Sequence, residues 1–422
     1  MQAEGIAKMR TKMLVITIIC CICMAAGNLW GLFGADLAEM NGWNHFQASL
    51  PFVVSNSVGC FTGILGGMVS DSKSPGKLTA LGSLSIGTGL VFLGLFKTSL
   101  PMVVFSQGFL LIACQTFASV GLVSAAMKWF PMEQKNRASG LASLGMSMSS
   151  AITAFLYQAV TGRLGFSAGM CVLGILYGGT GAVLAWNFRP APVNASQSGS
   201  AGAAPVSAAA PACVIYKGIT RKDAIRTPEF LMIVVSFCLS MSANLAINSQ
   251  TVLIIRSYAG TAFPSWLFVA IGALGGITAR LTAAMIGDRI GTFRLWRSMA
   301  AVFACCLLAF PFAGSIWIML ALYVIQQFCI NSMIVCHYAA YALIFDSACT
   351  GFLTGLGSTG YYIAGIVAPA AAGLISDRAG SYTPVFLGLA VVEAATVLLL
   401  TRLGRKYAEK LGAVLPGTAR KF

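Results

Sequence analysis

The chain has 422 residues, of which 57% are hydrophobic and only 9% charged, and it carries a formal net charge of +15. A soluble domain carries about 25% charged residues, so most of this surface cannot face water. The apolar residues also come in long runs: Met13–Ile22 extended to Phe33, Met102–Ala126 and Val385–Leu400 each approach or exceed the ~20 residues that cross a bilayer as a helix. A strand barrel would show alternating segments of about 10 residues, whereas these runs are apolar on every side. Thirteen cysteines raise the question of disulfides or metal. Most stand singly in apolar segments (Cys60, Cys114, Cys171, Cys238, Cys336), where Cys acts as a small hydrophobe. The group Cys20, Cys21, Cys23 lacks the spacing of a four-ligand zinc site, and the two histidines, His45 and His337, lie far from it in sequence. Neither a metal nor a cofactor is expected.

In chain order, apolar runs between charged or Pro/Gly breaks predict twelve spans. The first six are 13–37, 46–71, 77–97, 101–127, 137–160 and 166–188. The last six are 229–254, 264–288, 294–314, 316–345, 350–376 and 381–402. The segment Met24-Ala25-Ala26-Gly27 imitates a signal-peptide cleavage site, but a signal peptide would precede a soluble chain, so this run is read as the first helix. Orientation follows from Lys and Arg, which cytoplasmic loops retain. With the N-terminus inside, inside segments hold 22 of the 27 basic residues. Outside loops hold Lys97, Arg163, Arg256 and Arg378, and Arg280 falls within a span. Both termini are therefore expected in the cytoplasm of a multi-pass inner-membrane protein. The basic charge is a topology signal, and nucleic-acid binding is excluded as a reading.

Pro190–Ala212 is an uncharged stretch of Ala, Pro, Ser and Gly, the composition of a flexible linker. Asn194-Ala195-Ser196 matches a glycosylation triplet but falls on the cytoplasmic side. The expected organisation is an N-terminal six-helix bundle over 1–189, a linker over 190–228 and a C-terminal bundle over 229–422. The two halves repeat. Gly67-Met68-Val69-Ser70-Asp71, followed by Lys73 and Lys77, is echoed by Ile286-Gly287-Asp288-Arg289-Ile290-Gly291, followed by Arg294 and Arg297, with the aspartates 217 residues apart. Gly162-Arg163-Leu164-Gly165 is echoed by Asp377-Arg378-Ala379-Gly380, with the arginines 215 apart. Parallel repeats of this kind are the architecture of major-facilitator transporters.

The repeated loop, Gly-x-x-x-Asp-(Arg/Lys)-x-Gly, resembles the signature of that superfamily; it survives well in the second half and is looser, with altered spacing, in the first. The resemblance covers the whole chain and implies an all-α membrane protein with twelve transmembrane helices in two six-helix pseudo-repeats. Asp71, Asp288 and Arg289 are then gating candidates, able to cap or pair at the cytoplasmic gate, against the plain alternative of a solvated turn. A narrower likeness rests on Ala224-Ile225-Arg226-Thr227-Pro228-Glu229-Phe230 and on Gly275-Gly276-Ile277-Thr278-Ala279-Arg280. These segments look like those of the oxalate/formate antiporters and monocarboxylate transporters, which place a substrate-binding arginine at this point. Lys128-Trp129-Phe130-Pro131 followed by Arg137-Ala138-Ser139-Gly140-Leu141 is similar to a segment that many facilitators share.

Arg280 is informative without any family. A guanidinium in mid-span is costly, by at least ~2.5–3.5 kcal/mol on insertion scales, and so marks a watery cavity in which to meet an anion. A bidentate grip on a carboxylate suits it best; the structural alternative is a pair with Asp346, Glu393 or backbone carbonyls. Polar residues predicted near midspan are Asn28, Asn56, Gln115, Asn244, Gln327, Asn331, Tyr361 and Tyr362, each either binding substrate or gluing helices. Tyr361, Gln115, Asn331, Asn28 and Tyr362 are taken with Arg280 as substrate-binding candidates. Tyr361 stands where the oxalate carrier resembled here has a second basic residue, so one arginine with neutral donors implies a singly charged substrate. His337 and Glu393 are the coupling candidates, through protons; His337 could equally be a neutral interior hydrogen-bonder. Gly276 occupies the place where proton-coupled monocarboxylate carriers keep an aspartate, which favours exchange against a counter-anion. Glycine-rich Gly272–Gly276 lies in a span without a P-loop lysine, and no enzyme signature competes. The expected function is secondary transport of a small monocarboxylate-like anion by alternating access, with one site between the halves. The rivals are an exporter of drugs or neutral solutes and a non-transporting membrane sensor of a metabolite.

Overall fold

The computed structural model of the chain describes residues 2–70, 75–127, 129, 135–189, 215–216, 218–259, 264–345, 353 and 355–414. All of its named elements are helices. Among the described residues, ten stretches are long and apolar enough to cross a bilayer. One of them, Leu144–Trp186, is 43 residues long and lies in a helical run, α7 (Lys135–Trp186), that is broken by Gly165 at φ 77°. It therefore holds two crossings. The apolar helix α3 (His45–Ser70, 26 residues) adds another, which makes the twelve expected.

The chain sorts into two compact units. The first is Met1–Trp43, Leu50–Val206 and Pro264–Ala273; the second is Asn44–Ser49, Ser207–Phe263 and Leu274–Phe422. In the first unit, α1 (Gln2–Met24) passes through a tighter 3₁₀ turn at Ala25–Leu29 into α2 (Trp30–Asn41). After α3 come α4 (Pro75–Leu95), α5 (Leu100–Phe105), a π-helical stretch at Ser106–Ala113, α6 (Cys114–Met127) and α7. Small residues set the spacing of α4 and α7. A Cβ on Gly87 would lie 2.6 Å from the Gly174 carbonyl, and one on Gly174 would lie 2.5 Å from the Gly87 carbonyl. Such close backbone approach is how helices bind one another where lipid removes the hydrophobic driving force. At one end of the unit, Arg10 Nε donates to the Trp129 carbonyl at 2.8 Å and Trp129 Nε1 to the Arg189 carbonyl at 3.1 Å. The tryptophan of the Lys128-Trp129 segment is thus a structural tie.

The second unit contains α8 (Arg221–Ile225), α9 (Pro228–Ala259), most of α10 (Ser265–Ile290), α11 (Thr292–Ala309), α12 (Ile316–Ile344), α13 (Thr359–Ala379) and α14 (Thr383–Val414). The segment singled out before the seventh span builds a turn. Thr220 caps α8, accepting from the Asp223 amide, and Pro228 opens α9 at the position where its missing N–H is harmless. Behind that turn, Lys410 Nζ donates to Glu229 Oε1 at 2.6 Å and to the Tyr216 hydroxyl at 2.5 Å, and that hydroxyl donates to Glu229 Oε2 at 2.9 Å. Glu229 is buried. The three groups anchor residue 216 to the ends of α9 and α14.

The sequence repeat is also a repeat of conformation. Gly165 and Gly380, which close the two matched tetrapeptides, both have positive φ, 77° and 63°. A side chain at either would be strained, so glycine is required to end each helix there.

Candidate functional site

The candidate site is built on α10 and α12 of the second unit. A Cβ at Gly275 would collide with the Val324 carbonyl, and one at Gly276 would lie 2.9 Å from Asn331 Nδ2. The glycine pair therefore lets α12 approach closely, and Asn331 fills the space that a side chain at residue 276 would need. Asn331 Nδ2 donates to the Gln327 carbonyl at 2.8 Å. Gln327 Nε2 in turn donates to Asn248 Oδ1 at 3.0 Å, and Asn248 Nδ2 to Asn244 Oδ1 at 2.9 Å. Asn244 and Gln327 thus form an amide ladder, and Asn56, whose Nδ2 donates to Phe52 of its own helix at 2.8 Å, is a local hydrogen-bonder.

One helical turn beyond Gly276 stands Arg280, half-buried. Its charge acts on the Tyr338 hydroxyl, which shares a hydrogen bond with Ser358. Tyr361 lies close enough to Tyr338 for the two phenols to interact, and the Tyr361 and Tyr362 rings meet edge to face at 5.5 Å. Tyr338 is 49% exposed, and it shares one stripe of α12 with Gln327 and Asn331 at helical spacing. The site therefore combines one guanidinium with the hydroxyls of Tyr338, Ser358 and Tyr361. Such a set can hold a single carboxylate through charge-assisted bonds and complete its shell with neutral donors.

Of the residues predicted to bind substrate, Arg280, Tyr361 and Tyr362 are linked here through Tyr338, with Asn331 on the same stripe of α12 as Tyr338. Tyr338 and Ser358 were not singled out from sequence. Tyr338 could have been found from its spacing to Asn331, seven residues on the same helix; Ser358 gives no such signal.

The first unit has a polar set of its own. Gln107 Nε2 donates at 2.9 Å to the Gly27 carbonyl, a backbone group within the 3₁₀ turn. Gln115 is buried, with its Oε1 unpartnered, and it follows the π-helical stretch. Asn28, in the 3₁₀ turn, is exposed. Departures from regular α-helix at Ala25–Leu29 and Ser106–Ala113 mark the kind of place where function concentrates.

The coupling candidates lie elsewhere in the second unit. His337 is wholly buried and lies flat on Phe237, ring centroids 3.6 Å apart. Neither of its ring nitrogens has a hydrogen-bond partner among the described residues. Glu393 is wholly buried and accepts from Ser240 Oγ at 3.3 Å; it is not the counter-ion of Arg280. Of the gating candidates, Asp71 lies outside the described residues, as does Asp346. Asp288 and Arg289 stand on the last turn of α10, with side chains outside what is described. Gly291 follows them at φ 91° and opens α11.

No curated protein matches this sequence. Residues 15–316, more than half of the chain, match the Major Facilitator Superfamily. With its long apolar helices, the chain belongs to the major facilitator superfamily and is a multi-pass membrane protein built as a secondary transporter.

Proposed function

We propose that this transporter carries a small, singly charged organic anion of the monocarboxylate type, gripped by Arg280. The observation that carries the proposal is that this guanidinium acts on the Tyr338 hydroxyl, which in turn bonds Ser358 and interacts with Tyr361. A cation within a span is retained for what it binds, and one positive charge with neutral donors matches one carboxylate. In this reading the chain lies in the inner membrane with both termini in the cytoplasm, alternating between inward- and outward-facing states as an anion antiporter or a proton-coupled carrier. Asp71, Asp288 and Arg289 belong to the gate.

The test is uptake of labelled lactate, formate and oxalate into liposomes containing the purified protein, with and without internal anion, for wild type and Arg280→Ala. Loss of bidentate charge-assisted bonds worth about 1.5–3 kcal/mol each predicts uptake at least ~100-fold slower at low substrate. Transport of none of the three, or unchanged uptake by a folded Arg280→Ala, refutes the anion reading. The search then moves to neutral or cationic solutes carried by the same fold, or to a sensor that does not transport.

A further inference from the structure

The interior of the second unit holds polar groups that the proposed anion site leaves unused. Ser236, Trp296, Gln326, Ser332, His337, Tyr341 and Glu393 are each 0% exposed, and each has at least one side-chain polar atom without a hydrogen-bond partner. A buried unpartnered polar atom is uncommon in a folded protein and calls for a partner, commonly an ordered water.

The positions form a strip. Ser236 and Ser240 stand one turn apart on α9, and Phe237 between them carries the His337 ring. Trp296 of α11 and Tyr341 of α12 meet that ring edge-on, at 5.9 and 5.0 Å. At one end of the strip Ser240 donates to Glu393 Oε1, while Oε2 is unpartnered. Of the elements around Glu393, α12 brings Cys329 and α11 brings Cys306 behind it, while α9 brings Ser240. α13 brings none of its titratable groups (Tyr361, Tyr362, Asp377, Arg378) into interaction with it. Among the described residues, then, Glu393 has no cation as partner. Among the described residues no cation pairs with this carboxyl and no group of three His, Cys, Asp or Glu surrounds it; a proton is a ligand whose binding removes the charge at this depth.

We propose that Glu393 is a proton-binding site, reached by water held along the buried strip of Ser236, Ser240, His337 and Tyr341. On loading, a proton from that water forms the O–H bond at Oε2 and leaves a neutral carboxylic acid; on release the proton returns to water. The site itself does not depend on the anion reading, which bears only on what the proton would drive.

The experiment is infrared difference spectroscopy of reconstituted membranes cycled between acidic and alkaline buffer, for wild type, Glu393→Gln and Ser240→Ala. The expected result is a carboxylic-acid C=O band in wild type that shifts in D2O, vanishes in Glu393→Gln and moves in frequency in Ser240→Ala. Because the Ser240→Ala shift reports on the same carboxyl, the proposal stays testable if Glu393→Gln does not fold. A band that is missing in wild type, unchanged in Glu393→Gln, unmoved in Ser240→Ala or insensitive to D2O overturns it. In parallel, an inward proton gradient should accelerate uptake of labelled lactate, formate or oxalate by wild type, and Glu393→Gln should lose that acceleration while keeping exchange. Acceleration that persists in Glu393→Gln removes the coupling role even where the band is present. If wild type carries none of the three anions, the anion reading fails and the infrared band alone decides the proton site.

Discussion

Tyr338→Phe removes a single hydroxyl from the candidate site and keeps the ring that fills space on α12. Two interactions meet at that oxygen, the hydrogen bond with Ser358 and the field of Arg280. If the hydroxyl completes the shell of an anion held by Arg280, the loss is that of a bond to a charged group, about 1.5–3 kcal/mol. At 1.4 kcal/mol per tenfold, this is about 10- to 100-fold in affinity. If the hydroxyl serves Ser358 only, a neutral bond of about 0.5–1.5 kcal/mol is lost, and the effect falls on thermal stability instead. The assay is initial uptake in liposomes against concentration of the anion that the panel identifies, with Ser358→Ala alongside and melting temperature recorded for each variant. The expected result is a raised KM with unaltered melting for Tyr338→Phe. An unchanged KM in a variant set in which Arg280→Ala is inactive would show that Tyr338 is no part of the binding shell.

Two further outcomes follow from packing. Gly276→Leu drives a side chain into Asn331, and overpacking of this kind costs about 1–3 kcal/mol of stability; the leucine variant should melt lower, with Gly276→Ala affected less, and wild-type melting by the leucine variant would show that Asn331 simply moves aside. Gln107→Leu leaves the Gly27 carbonyl in the 3₁₀ turn without its donor, a loss of about 1–3 kcal/mol or roughly 2–4 °C in melting temperature per kcal/mol for a unit of this size, read by thiol-reactive dye as the buried cysteines become exposed; unaltered melting would mean that the turn finds another donor.

The helices were legible because the bilayer imposes them. Long apolar runs are a property of the sequence alone, and they led to the helices that the structure contains. The repeat was legible down to single residues: Gly165 and Gly380 were matched by spacing, and both take positive φ. Arg280 was legible because a charge in an apolar run stands out. Its neighbours did not stand out. Tyr338 reads as one more large residue in an apolar stretch, and Ser358 as one more small one; only the packing of α10, α12 and α13 brings them to residue 280. The same holds for His337. Its type suggested a hydrogen-bonder, whereas its surroundings, Phe237, Trp296 and Tyr341, form an aromatic box chosen by tertiary contact. The 3₁₀ and π-helical breaks were also invisible, since each depends on a donor or a packing partner from another helix, as Gly27 depends on Gln107.

Helix α12 has polar side chains on two faces, Gln327, Asn331 and Tyr338 on one and Gln326, His337 and Tyr341 on the other, within a stretch whose mean hydropathy is still 1.8. This has a bearing on how the protein is made. Spans leave the insertion machinery in sequence order, and α9, α10 and α11 precede α12. When α12 enters the bilayer, the asparagine ladder of α9, the glycine pair of α10 and the tryptophan of α11 are already there to receive its two polar faces. Had α12 been synthesised first, those groups would have met lipid alone. The order of the helices along the chain thus supplies partners for both polar faces of α12 before that span arrives.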